Sequence, residues 1–122
     1  MADEGNEVKG SGPTVAAHAL QDQRNLETKF KELVAKWQVE KNPYSSSPMD
    51  AAMCFSYQRI IAMGPYAIPL ILEEMRRKPD HWFWALHVLS SEDPVQLEHR
   101  GNFSAMVTDW LEWGKKNGYV FS

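Results

Sequence analysis

Residues 63–90 read MGPYAIPLILEEMRRKPDHWFWALHVLS, and this stretch decides the fold class. Gly64-Pro65 breaks whatever precedes it, and a proline in the first helical position loses no intrahelical bond. Pro69 removes a further donor and is expected to bend or loosen the helix start. Beyond it Ile68, Leu70, Ile71, Leu72 and Met75 form a wide apolar face, with Glu73, Glu74, Arg76, Arg77 and Lys78 on the wet side. The three cations close this helix where its dipole favours positive charge. Lys78-Pro79-Asp80 then stops it, because a helix rarely continues up to a proline. Asp80 is placed to cap a second helix over His81 to Ser90.

That second helix is dense in aromatic residues. Trp82, Phe83, Leu86 and Leu89 share a stripe by their spacings of three and four. Trp84 lies two residues from Trp82, which separates the two rings by about 200° around a helix. One indole therefore packs on the preceding helix, and the other needs a second partner, either a flanking helix or another molecule.

Gly64-Pro65-Tyr66-Ala67-Ile68-Pro69-Leu70-Ile71, with Trp84-Ala85-Leu86 in the partner helix, resembles a HEAT-type helical repeat. The wider text also resembles a group of short uncharacterised bacterial proteins over roughly residues 26–118. It comprises Ser46 onward, MGPYAIPLILEEM, PDHWFWAL, EDPV, EHRGN and DWLEWG. The first resemblance implies a helical scaffold that binds protein; the second implies no particular activity. One repeat unit does not make a solenoid, which needs several stacked copies.

Outward from the hairpin, Leu26, Phe30, Leu33, Val34 and Trp37 fall on one face of an amphipathic helix over Asn25 to Lys41, ended by Asn42-Pro43. Residues 1–24 read as a flexible tail, partly helical after Thr14. Ser47, Pro48 and Asp50 form a helix start. The helix they open runs through MDAAMCFSYQRIIAM, with a break near Phe55-Ser56 and with Met49, Met53, Tyr57, Ile60 and Ile61 inward. Residues 90–102, SSEDPVQLEHRGN, are a long polar connection of the kind that is either functional or mobile. Asn102 caps a last helix carrying Phe103, Met106, Val107, Trp110 and Leu111, which stops at Asn117-Gly118. Tyr119, Val120 and Phe121 are expected to fold back on the domain. The expectation is an all-α fold: one compact bundle of about five helices over residues 25–122, built around the hairpin.

The 122 residues are 43% hydrophobic with five tryptophans, so a packed core is affordable. No apolar run reaches the roughly 18–20 residues that span a bilayer. The polar N-terminal stretch does not read as a secretory signal, and the single Cys54 fits an expected reducing cytoplasm. Residues 25–122 hold eleven Lys and Arg against twelve Asp and Glu. This near balance argues against duplex DNA or an anionic membrane as the main partner, since both need a positive field.

His81 and His87, six apart, point about 120° from each other on a helix and make no zinc pair. Cys54 sits in an apolar helix, where a cysteine is ordinarily a small hydrophobe. An enzyme would need a pocket joining His87 or His99 to a carboxylate. The expectation is therefore a non-catalytic chain with no metal and no cofactor: an adaptor or regulatory subunit that binds another protein, in one specific form an immunity- or antitoxin-like inhibitor. Trp84, Trp113, His81 and Arg77 are the candidate contact residues, because exposed tryptophan with arginine nearby is the usual makeup of an interface hot spot. The alternative is a nucleic-acid accessory protein using Arg59, Arg76, Arg77 and Lys78, with phosphate and base held between cation and aromatic ring.

Overall fold

The computed structural model describes residues 12–119, with side chains from Leu20 onward. The described chain is all-α, with six helices and two 3₁₀ turns. They are α1 (Gly12–Glu40), α2 (Pro48–Ala52), α3 (Phe55–Ala62), a 3₁₀ turn (Gly64–Tyr66), α4 (Ala67–Arg77), α5 (Phe83–Ser90), a second 3₁₀ turn (Leu97–His99) and α6 (Phe103–Lys116). Residues 1–11 of the tail expected over residues 1–24, and the fold-back of Val120 and Phe121, lie outside the described residues. The chain groups into two compact units, Met1–Glu32 and Leu33–Ser122. Helix α1 passes without interruption through the boundary expected at residues 24–25, because the alanines, glutamines and charged residues there all favour helix.

In the first unit Leu20 is exposed, Leu26 is half-buried and Phe30 is buried.

The second unit is held together by a group of rings. Trp37 of α1, Tyr57 of α3 and Trp82 just ahead of α5 have no exposed surface. Their centroids lie 5.1 Å apart for Trp37 and Tyr57, 4.5 Å for Trp37 and Trp82, and 5.6 Å for Tyr57 and Trp82, the last pair stacked. Contacts of this kind contribute about 0.5–1.5 kcal/mol each beyond the area they bury. Helix α4 packs on α5 and α6 and buries Ile68, Ile71, Leu72 and Met75, and α5 also packs on α2 and α3. The hairpin read from residues 63–90 is thus present as α4 and α5.

Several local details differ from the sequence reading. Pro69 is the third residue of α4, where its missing N–H removes no bond of that helix. The helix start is preceded by Gly64, at φ 80°, and a 3₁₀ turn. The single helix expected over residues 48–62 is two helices, with Met53 and Cys54 between them. The break re-aims the second helix, so Met49 and Met53 are exposed while Tyr57 and Ile60 are buried. Helix α5 begins at Phe83 rather than His81, and Asp80 does not cap it.

Four helix starts show two different solutions to the orphaned N–H groups of a first turn. Ser47 accepts from the Asp50 N–H and Asn102 from the Ala105 N–H, both within their own segments, as the sequence implied. For α3 the acceptor is Glu40, at the end of α1, which takes the Ser56 N–H at 2.9 Å and the Ser56 hydroxyl at 2.7 Å. For α5 it is the Tyr57 hydroxyl, which accepts the Ala85 N–H at 2.9 Å and donates to the His81 carbonyl at 3.1 Å.

Candidate functional site

Helix α5 is apolar on nearly every side, a pattern expected of a helix covered all round. It is not covered all round. Ala85 and Leu86 are buried, yet Trp84 is 40% exposed and Val88 is 42% exposed. The two lie four residues apart and so share one face, with His87 between them. The Trp84 and His87 rings sit 5.9 Å apart. Of the two indoles in residues 82–84, Trp82 therefore completes the core and Trp84 turns outward.

Elements that pack on α5 carry further exposed apolar side chains: Met49 on α2, Met53 after it, Phe55 at the start of α3 and Tyr66 in the first 3₁₀ turn. Phe55 is 70% exposed, with the Arg59 guanidinium 5.7 Å from its ring centre. The periodicity had placed the two methionines inward and gave no sign that Phe55 or Tyr66 would stand outside.

The other candidate residues have different surroundings. Trp113 is only 8% exposed; its indole N–H donates to Glu92 at 3.1 Å, and its ring meets Trp110 at 5.2 Å and stacks on Tyr119 at 5.6 Å. It belongs to the core of α6 and not to an open surface. His81 is half-buried, edge-on to Phe83 and Phe103. Arg76 is bound to Glu73, and Arg77 to Glu74, each at 2.8 Å. Lys78 is exposed beside them, just past the end of α4. The basic end of α4 is therefore interleaved with its own carboxylates, which lowers the positive potential a phosphate backbone would meet.

A second feature is a polar concavity of about 300 Å³ at the end of α1. Gln38, Lys41, Asn42, Ser45, Ser46, Ser47, Asp50 and His81 line it, together with Pro43 and Ala51. Asp80 organises the neighbourhood by accepting from Lys41 at 2.7 Å, Gln38 at 3.1 Å and the His81 N–H at 2.7 Å. Burial pushes the Asp80 carboxyl upward, but these three donors together outweigh it and hold the group below its ordinary value. The Lys41 ammonium also lies 4.4 Å above the Trp37 ring, whose N–H donates to the Ala51 carbonyl at 2.8 Å. The sequence marks Asp80 as a cap and assigns no role to Gln38 or to the Lys41 side chain; nothing local marks their meeting across some forty residues.

His99 does meet a carboxylate. Its Nδ1 lies 2.8 Å from the buried Asp109, which also accepts the Gln96 N–H at 3.1 Å. The pair ties residues 96–99 to α6. His87 instead bonds the Glu92 carbonyl through Nδ1 at 2.9 Å. Partial burial, and then the Glu40 carboxylate, push the Cys54 thiol up, away from a reactive thiolate. Among the described residues no three His, Cys, Asp or Glu side chains gather as a metal cluster. Among the same residues no helix is long and apolar enough to cross a membrane. No protein-family model, curated protein or solved structure matches the chain.

Proposed function

We propose that this chain is a non-catalytic, cytoplasmic protein-binding module, an adaptor or regulatory subunit whose contact surface is the outward face of α5. One observation carries the reading: Trp84 and Val88 stand exposed side by side on a helix with almost no polar face. Tryptophan is the residue most enriched among interface hot spots, and its truncation there typically costs more than 2 kcal/mol of binding. Phe55 on α3 is also exposed, and with Arg59 beside it supplies a pairing of aromatic and cation. The resemblance of residues 63–90 to a HEAT-type unit agrees with protein binding, as an analogy at the level of fold. Occluding a partner's working surface, in the manner of an immunity protein or antitoxin, is the specific form we favour. Trp84 and Arg77 remain contact candidates in this proposal, whereas Trp113 and His81 support the scaffold.

The alternative, nucleic-acid binding through Arg59, Arg76, Arg77 and Lys78, is weakened by the Glu73 and Glu74 pairs. Salt separates the two. Phosphate contacts weaken steeply as salt rises, and burial of an indole does not. The test is affinity capture from the native host with wild-type and Trp84→Ala chains, at low and high salt and with nuclease treatment. A stoichiometric protein that survives high salt and nuclease, and is lost with Trp84→Ala while the circular dichroism is unchanged, supports the proposal. Equal capture by the variant, or recovery of nucleic acid alone, refutes it.

A further inference from the structure

The polar concavity at the end of α1 has a charge arrangement that selects a class of ligand. Its volume of about 300 Å³ sits at the lower end of the roughly 300–1,000 Å³ range of small-molecule pockets. Lys41 and Asp50 both line it, so one cation and one anion face the same space. Lys41 gives one N–H to Asp80, and an ammonium has three. Asp50 accepts the Ser45 hydroxyl through Oδ2 and retains its other oxygen. Asn42 uses its side-chain oxygen on the Tyr44 N–H, which leaves its amide donors. Gln38 uses its amide nitrogen on Asp80, which leaves its carbonyl oxygen.

The same features exclude other occupants. Asp50 and Asp80 outnumber Lys41, so a polyanion such as a nucleotide finds no net positive field. Trp37 is wholly buried, so no indole face lies open for a sugar ring. We infer that the concavity binds a small zwitterion of amino-acid size, its carboxylate toward Lys41 and Asn42 and its ammonium toward Asp50 and the Gln38 carbonyl. The assignment rests on the lining alone and is independent of the α5 contact proposed above.

The probes are the free proteinogenic amino acids, each added to the full chain at about 10 mM, enough to saturate a site of millimolar affinity. The readouts are calorimetry and the ¹H–¹⁵N signal of the Trp37 indole, which sits beneath Lys41 and bonds Ala51 at the cavity wall. The expected result is saturable binding of at least one amino acid. Asp50→Asn should weaken it at least tenfold, and blocking the ligand's amine by acetylation or its carboxylate by amidation should do the same. Asp50 is exposed on a five-residue helix, so this variant should fold. Lys41→Gln keeps a donor for Asp80 and tests the other end. Several results overturn the inference: no saturable response from any amino acid, equal affinity in Asp50→Asn, equal binding of the amidated or acetylated ligand, or preferential binding of inorganic phosphate or glucose. Equal binding of the amide alone would indicate the N-terminal end of a polypeptide as the occupant, and would likewise refute the zwitterion.

Discussion

Removing one buried oxygen atom should reveal how α5 is held. Tyr57→Phe deletes the hydroxyl that accepts the Ala85 N–H and donates to the His81 carbonyl, while the ring stays packed against Trp37 and Trp82. Ala85 is the third residue of α5, so its N–H has no intrahelical acceptor, and it is fully buried, so water does not replace the hydroxyl. Leaving such a donor unsatisfied costs about 1–3 kcal/mol, and the His81 carbonyl adds about 1. The expected loss is therefore about 2–4 kcal/mol, or roughly 10–20 °C in melting temperature for a domain of this size. Urea unfolding followed by tryptophan fluorescence and by far-ultraviolet circular dichroism measures it, with the midpoint falling at unchanged slope. The substitution also has a pH signature. Burial pushes the Tyr57 phenol well above its ordinary value in the folded chain. A raised folded pKa means that stability is full below the unfolded value of about 10 and declines as pH rises beyond it. In the Phe variant that alkaline decline should be shallower. A loss below about 0.5 kcal/mol would show that α5 does not depend on this bond, since a neutral hydrogen bond is itself worth about that much.

Trp84→Ala should leave the fold intact and cost under about 1 kcal/mol, whereas Trp113→Ala should cost about 3–5 kcal/mol; thermal unfolding of the two side by side distinguishes an outward indole from a core one. Ser91 closes α5 at φ 60°, a left-handed conformation that costs a non-glycine residue about 1 kcal/mol. Ser91→Gly should therefore raise the urea midpoint. Asp80, Asp93, Asp109 and Glu40 all have carboxyls held below their ordinary values. For Asp80 three donors overcome burial, for Asp93 Arg100 and the Val95 N–H overcome it, for Asp109 His99 leads, and for Glu40 Ser56 leads. A depressed folded pKa means that this stability is present above the unfolded value of about 4 and is lost as pH falls through the folded one. Acid unfolding should therefore be less steep in Asp80→Asn, and an unchanged acid limb would refute the ion-pair account.

Much of the helix inventory was readable because it rests on interactions three or four residues apart. Ser47-Pro48 and Asn102 announce helix starts, Lys78-Pro79 announces a stop, and Phe30, Leu33 and Trp37 announce a buried face; each signal and its effect lie within one or two turns. The errors arose where that local logic was overtaken. Met49 and Met53 follow the same spacing as Tyr57 and Ile60, but the chain re-aims between them, so one periodic stripe became an exposed half and a buried half. Asp80 is an adequate local cap, yet a charge-assisted bond to Lys41 and two further donors hold it elsewhere.

By itself the sequence determined an all-α chain, the hairpin over residues 63–90 and the fact that Trp82 and Trp84 point apart, since these follow from proline, glycine and a 3.6-residue period. Only the tertiary structure decided which indole is outside, that Glu40 and Tyr57 complete the starts of α3 and α5, and that Lys41, Asp50 and His81 share one cavity. Those outcomes depend on contacts between residues 16 to about 40 positions apart. Their formation is governed by which helix faces the core can bury together, and no local spacing encodes that choice.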